Sequence, residues 1–131
     1  MNSIVKEIVE NRSQGVCELC LSRAARQKHH KKLKSQGGLD FPANIIHLCV
    51  KCHKRLHDTG WMKKELKFEL KKELESIFLA EKWYTEQEIF ELANVSKYDI
   101  EHAIKKQYVK VDLNRHDEVL IKGNSIVRWL S

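Results

Sequence analysis

The chain has 131 residues and a formal net charge of +6, with 42% hydrophobic and 32% charged residues. This composition excludes a disordered or collagen-like chain, and no run of about 18 apolar residues predicts a transmembrane helix. The expected organisation is one modest domain or two very small ones. The first residues lack the apolar core of a secretory signal, so we expect a cytoplasmic protein.

Positive charge is concentrated in the first half of the chain. Residues 1–60 contain 11 Lys and Arg against 5 Asp and Glu, whereas residues 61–131 contain 13 of each. All four cysteines and five of the seven histidines lie in the same first half. Such an excess attracts polyanions, and nucleic acid is the commonest polyanion in a cell. We therefore expect the chemistry within residues 1–60.

Two C-x-x-C pairs follow a short predicted helix whose apolar residues are Ile4, Val5, Ile8 and Val9. Disulfides are rare in a reducing compartment, so two such pairs indicate a tetrathiolate zinc site. Zinc prefers four soft ligands in a tetrahedron, and each C-x-x-C turn places two sulfur atoms on one side of the ion. Buried or redox-active thiols are the alternative. The predicted zinc ligands are Cys17, Cys20, Cys49 and Cys52.

The segment between the cysteine pairs combines adjacent histidines with a turn and a strand. His29 and His30 lie in a strongly basic run that ends at the turn signal Gly37-Gly38. The β-branched segment 44–48 predicts a strand that leads into the second cysteine pair. Adjacent strand residues point to opposite faces, so one histidine can bind a metal ion while its neighbour faces a water molecule.

Two helices are predicted after the second cysteine pair. In the first, His53 and His57 are four residues apart and share one face, and Gly60 is the expected stop. The second runs from 62 to 82 and is amphipathic, which is typical of a helix packed on its own core or on a second copy. Its apolar stripe is Leu66, Leu70, Leu74, Ile77 and Phe78.

The last 48 residues have the element order of a small winged-helix module, namely helix, turn, helix and hairpin. Thr85 begins a capping box, Ser96 caps the next helix, and Ser125 is expected to cap a final turn. The run 88–111 resembles the excisionase and MerR-type DNA-binding heads. Acidic residues on the second helix are unusual for a DNA-binding surface, so a dimerisation or protein-binding module of the same fold is the alternative.

A wider motif in the first half carries a second resemblance. It consists of Cys17-x-x-Cys20, His29-His30, Gly37-Gly38, Asn44, Cys49-x-x-Cys52-His53 and His57. In this combination, residues 16–58 closely resemble the HNH (ββα-metal) endonucleases. Together with the amphipathic helix and the winged-helix-like pattern, the resemblance predicts an α+β chain in three parts: a zinc-stabilised ββα-metal nuclease core (1–60), a linker helix (61–82) and the winged-helix-like module (83–131).

The resemblance assigns a role to each matching residue. His30 corresponds to the general base, and Asn44 to the asparagine that braces the histidine-bearing loop. His29 and His53 correspond to ligands of a catalytic divalent cation, with Mg²⁺ or Mn²⁺ expected. His57 corresponds to a third ligand in members that use three histidines, as the DNase colicins do; a surface position with water completing the metal site is the alternative. The four cysteines correspond to the structural zinc ligands.

One departure from the family pattern adds positive charge near the site. Many members have an apolar residue and a proline after the catalytic histidine, whereas this chain has HHKKLKSQGG. Basic side chains near the histidines are candidates for contacts with the nucleic-acid backbone, which fix position without reading sequence. These candidates are Arg23, Arg26, Lys28, Lys31, Lys32 and Lys34.

The sequence therefore predicts a metal-dependent endonuclease that hydrolyses phosphodiester bonds in DNA, by nicking or by double-strand cleavage, in a restriction, phage or mobile-element setting. DNA is the expected partner, and a second copy of the chain, forming a homodimer, is a further one. Neither a membrane nor a small-molecule substrate is expected. The alternative from another class is a non-catalytic, zinc-containing DNA-binding regulator. An RNA-directed nuclease is a further alternative, because the same metal chemistry acts on the backbones of DNA and RNA.

Overall fold

The computed structural model describes residues 1–131 and has the mixed α+β architecture predicted from the sequence. The chain divides into two compact units, Met1–Leu70 and Lys71–Ser131, and the division falls inside one helix. The helices are α1 (Ser3–Ser13), α2 (Val50–Asp58), α3 (Gly60–Ile77), α4 (Glu86–Ala93), α5 (Lys97–Lys105) and α6 (Gly123–Leu130). The strands are β1 (Gln27–His30), β2 (Ile45–Leu48), β3 (Trp83–Tyr84), β4 (Val111–Leu113) and β5 (Val119–Lys122).

The N-terminal unit is built on an antiparallel pair of strands followed by a helix. β1 pairs with β2 in a register that places His29 opposite Ile46 and His30 opposite Ile45. α2 begins two residues after β2 ends, with Cys49 as its N-cap. This strand–strand–helix order places His29 beside His53 and His57 of α2.

The turn between α2 and α3 differs from the prediction at Gly60. α2 ends at Asp58, and Thr59 adopts an extended backbone, with φ of −129° and ψ of 99°. Gly60 is then the first residue of α3 rather than the stop of α2. The prediction failed because a glycine after a helix is a common stop signal, but here the extended Thr59 has already ended the helix.

The first helix buries only part of its predicted apolar side. Val5 and Val9 pack with Ile45 of β2 in a small buried cluster. Ile4 is exposed, contrary to the prediction. A helix that contacts its core along one narrow line leaves neighbouring apolar residues in solvent.

α3 ends earlier than the predicted boundary at residue 82. Its last residue is Ile77, after which the Leu79 amide donates a hydrogen bond to the Tyr84 hydroxyl. This bond helps to turn the chain back toward β3. Most of the predicted stripe is buried, and Ile77 is only partly covered. No helix in the chain combines the length and apolarity needed to cross a membrane.

The C-terminal unit contains a three-stranded antiparallel sheet in the order β3-β5-β4. The capping box at Thr85 and Glu88 is present, and the Ser96 hydroxyl caps α5. Ser125 lies inside α6 and is not its cap. Its hydroxyl is buried, donates to the Lys122 carbonyl and accepts from the Lys110 amide. Ser125 therefore fastens the chain before β4 to α6.

Candidate functional site

The four cysteines come together at one end of the strand pair, where the chain enters β1 and leaves β2. Cys17 and Cys20 lie in a tight turn, closed by a hydrogen bond from the Cys17 amide to the Arg23 carbonyl. On the other side, Cys49 caps α2, and its sulfur accepts a hydrogen bond from the Cys52 amide. All four Sγ atoms lie within 4.8 Å of one another. The sulfur cluster thus joins two cysteine pairs that are far apart in the sequence, with 29 positions between Cys20 and Cys49.

The sulfur cluster fits a tetrahedral zinc ion. A Zn–S distance of about 2.3 Å places tetrahedral sulfur ligands about 3.8 Å apart, and the Cys20 and Cys49 sulfurs are separated by 4.0 Å. No cysteine forms a disulfide. Hydrogen bonds from the Ser22 hydroxyl and from the Ser22 and Arg23 amides lower the pKa of Cys20 to about 5. Cys20 is therefore readily available as a thiolate, the form that binds a metal ion.

Three histidines form a second cluster of potential metal ligands. His29 of β1 meets His53 and His57 of α2, and one ring nitrogen from each lies within 4.8 Å of the others. The Nε2 atoms of His53 and His57 are 3.1 Å apart. His29 is buried, His53 is half-buried and His57 is exposed. We call these three residues the histidine triad; its graded exposure gives it one protected side and one side open to solvent.

The electrostatics of His29 and His53 favour neutral imidazoles. Burial lowers the pKa of His29 to about 4, with further contributions from the charges of His53 and His57. Burial, followed by the charge of His57, also lowers the pKa of His53. A neutral imidazole presents a lone pair, which is the form that ligates a metal ion. The triad therefore fits a divalent cation that coordinates nitrogen.

His30 is held by a carboxylate that the sequence analysis did not identify. Its Nε2 atom lies 2.6 Å from Oδ1 of Asp40, and the Lys34 ammonium lies 3.8 Å from the other carboxylate oxygen. Partial burial acts to raise the pKa of Asp40, but the hydrogen bond from His30 and the charge of Lys34 outweigh it and lower that pKa. No motif pointed to Asp40, because the loop between His30 and Asp40 had no predictable path.

Asn44 is fully buried and organises that loop. Its side-chain oxygen accepts a hydrogen bond from the Lys32 amide at 2.7 Å, and its side-chain nitrogen donates to the Lys32 and Leu39 carbonyls. Its own carbonyl accepts from the Lys31 amide. A Cβ atom at Gly38 would lie 1.8 Å from the Lys32 carbonyl oxygen. Asn44 and Gly38 together fix the segment that carries Asp40 back toward His30.

The predicted nucleic-acid contacts differ in their availability. Lys28 pairs with Glu10 at 2.9 Å, and Lys34 lies beside Asp40. Burial, with a smaller effect from the charge of Lys67, lowers the pKa of Lys32. The remaining candidates are partly or fully exposed, namely Arg23, Arg26 and Lys31.

Arg12 is a second residue that sequence reasoning missed. Its guanidinium donates to both carboxylate oxygens of Glu18 and to the carbonyls of Pro42 and Ile45. Glu18 in turn accepts a hydrogen bond from the His47 amide. One side chain of α1 thus joins the first cysteine turn to the strand that follows Asn44. The planar guanidinium is suited to such multiple contacts.

His47 lies outside both clusters. It is buried, and its Nδ1 atom lies 2.8 Å from the Ser13 hydroxyl. His47 is therefore a packed, hydrogen-bonded histidine inside a short strand.

Comparison with known proteins agrees with this geometry. Residues 17–59 match the family model of the HNH endonucleases. This HNH endonuclease domain contains all four cysteines of the sulfur cluster and the whole histidine triad. The match supports a nuclease-type function in general. It does not extend into the C-terminal unit, so the winged-helix assignment stays a prediction. No curated protein matches the chain.

Proposed function

We propose that the chain is a metal-dependent endonuclease that hydrolyses phosphodiester bonds in DNA. The observation that carries this proposal is the histidine triad, a second potential metal site beside the four cysteines. A zinc site of four cysteines is sufficient to stabilise a small fold. A further, partly open cluster of imidazoles has no such structural necessity, and it adjoins His30 in the sequence. A reaction centre accounts for it.

The donor set of the triad favours a first-row transition ion. Imidazole nitrogen suits such ions, whereas Mg²⁺ prefers oxygen ligands. Of the two cations expected from the sequence, Mn²⁺ is therefore the better fit to three histidines. When bound, the cation supplies Lewis-acid stabilisation of the phosphoryl oxygens and of the leaving 3′ oxygen.

His30 is the proposed general base. A neutral imidazole that donates its Nε2 proton to Asp40 leaves Nδ1 as an acceptor for a proton from water. The Asp40 carboxylate then fixes the tautomer and stabilises the imidazolium that forms. The deprotonated water attacks phosphorus, and the bond to the 3′ oxygen breaks, which leaves 5′-phosphate and 3′-hydroxyl ends. Asn44 acts as a positioning residue because it holds the loop that presents Asp40.

The basic side chains around the domain supply the expected contacts to the phosphate backbone. Exposed Arg23 and Arg26 are the strongest candidates, because neither forms an ion pair with a carboxylate. Contacts of this kind position the backbone at the site without selecting a base sequence. In this proposal the C-terminal unit contributes targeting or dimerisation.

Cleavage of supercoiled plasmid tests the proposal. The zinc-loaded wild type should convert plasmid to open-circle or linear DNA with Mn²⁺, more slowly with Mg²⁺, and not without a divalent cation. His30→Ala should lower the rate by between about 10² and 10⁴-fold. His116→Ala, a change of the same type in the exposed β4–β5 turn, is the matched control and should cut normally.

Each alternative has its own result in this assay. No cleavage by the wild type under any of these conditions would overturn the enzyme and favour a DNA-binding regulator. Full activity in His30→Ala would retain the nuclease but remove His30 as its base. Preferential cleavage of RNA in a parallel reaction would replace DNA as the substrate.

A further inference from the structure

A group of exposed rings lies on the C-terminal unit, outside the proposed active site. Tyr98 is 76% exposed and Tyr108 is 52% exposed. The His102 ring lies near both: its centroid is 6.5 Å from that of Tyr98, with 17° between the planes, and 6.1 Å from that of Tyr108. Single exposed aromatic residues are ordinary, but a contiguous exposed group marks a binding surface.

Exposed positive charge lies in the same segment of the chain as these rings. Residues 97–110 contain four lysines against Asp99 and Glu101. All four ammonium groups lie on exposed residues and outside any ion pair with a carboxylate. The Lys97 ammonium lies over the Phe90 ring of α4, 5.8 Å from its centroid, so we call the three rings with Lys105, Lys106 and Lys110 the α5 surface.

Charge within the C-terminal unit is segregated by segment. The stretch 81–91 has four glutamates and one lysine, whereas the α5 surface has the opposite sign. Of the two acids in 97–110, Asp99 lies in the first turn of α5, where the helix dipole favours a negative charge. The overall neutrality of residues 61–131 therefore conceals a basic surface, which fits a polyanionic partner.

We propose that the α5 surface binds unpaired nucleotides of single-stranded DNA. The lysines match the phosphate backbone, and the exposed rings offer flat faces on which bases stack. Bases present their faces only where they are unpaired, so the rings select single strands over a duplex. An acidic peptide or a lipid headgroup matches the lysines but generally lacks a planar partner for the rings. This binding is separate from catalysis and does not require a divalent cation.

Fluorescence anisotropy with a labelled oligo-dT strand and a duplex of the same length tests the surface. The full-length, zinc-loaded protein is used without added Mg²⁺ or Mn²⁺. Combined Tyr98→Ala and Tyr108→Ala substitutions should weaken single-strand binding at least about fivefold and leave duplex binding unchanged. Combined Tyr98→Phe and Tyr108→Phe substitutions keep the rings and should retain wild-type affinity. Leu92→Ala, an exposed change on α4, is the control and should also bind normally.

The outcomes separate this inference from the proposed nuclease. Equal weakening for single strand and duplex would overturn the selection for unpaired bases. Unchanged binding of both by the alanine variant, with wild-type thermal unfolding, would overturn nucleic-acid binding at this surface and leave a protein partner. The binding experiment measures no cleavage, so failure of the plasmid assay would leave its interpretation unchanged.

Discussion

The two units of the chain are stabilised in different ways. In the N-terminal unit, three of the eight buried residues in the larger core cluster are cysteines of the sulfur cluster, and the other cluster has only three residues. The C-terminal unit instead buries aliphatic side chains and has no cysteine; its fully buried residues include Ile89, Ile100, Ile121, Ile126 and Leu130.

This difference shows where function and stability are coupled. In the N-terminal unit, the residues that build the metal sites and their loop are also the residues that hold the fold. In the C-terminal unit, apolar packing and helix caps hold the fold, and the side chains of the α5 surface lie outside the packed core. Substitutions should therefore act differently in the two units.

The largest expected effect is the loss of a zinc ligand. Cys52→Ser should unfold the N-terminal unit, because structural zinc contributes about 10 kcal/mol or more to folding and a whole domain has only about 5–15 kcal/mol of stability. Amide resonances of the C-terminal unit should persist in two-dimensional NMR spectra. Loss of both sets of resonances would show that the C-terminal unit depends on the zinc site, and retention of both would remove zinc from the account of the fold.

Asp40→Asn should lower the cleavage rate by about a hundredfold, because a neutral amide stabilises the His30 imidazolium less well than a carboxylate. Cation affinity should stay unchanged, since Asp40 is not a ligand of the triad. Mn²⁺ dependence of the cleavage rate gives both quantities. A wild-type rate would show that the hydrogen bond from His30 to Asp40 has no part in the reaction.

Asn44→Ala should destabilise the N-terminal unit by about 3 kcal/mol, because it removes several buried hydrogen bonds and leaves the Lys32 amide without its partner. Asn124→Ala, at an exposed position of α6, should change stability by less than about 0.5 kcal/mol. Urea unfolding measures both. Equal effects would contradict the bracing role of Asn44.

The smallest expected effect concerns pH. The pKa of His29 is about 4 in the folded chain against an ordinary 6.5, so between these values the unfolded state binds a proton that the folded state does not. Stability should therefore fall with falling pH, by about 1 kcal/mol from His29 alone between about pH 7.5 and 5.5. His29→Gln removes this contribution.

Urea unfolding at the two pH values, with one equivalent of zinc for the four cysteines and no other divalent cation, measures the difference. The variant should lose less stability than the wild type over this range. An identical loss in both proteins would show that His29 does not titrate as its burial requires.

The sequence predicted the parts of the molecule that depend on local spacing. The cysteine pairs, the paired histidines of α2 and the caps at Thr85 and Ser96 follow from short-range patterns, and the motif led to the resemblance that the HNH endonuclease model also finds in residues 17–59. The hydrogen bond from His30 to Asp40 and the contacts of Arg12 did not follow. Both depend on the path of loops, which are fixed by Asn44 and Gly38 only once the chain has folded.

Metal stoichiometry tests the central claim, which is that the N-terminal unit holds a structural ion and a separate reaction-centre ion. Native mass spectrometry in the presence of zinc should show two ions on the wild type and one on His53→Ala, which keeps the four cysteines. A single ion on both proteins would contradict the claim, because the histidine triad would then bind no metal and the nuclease proposal would lose its basis.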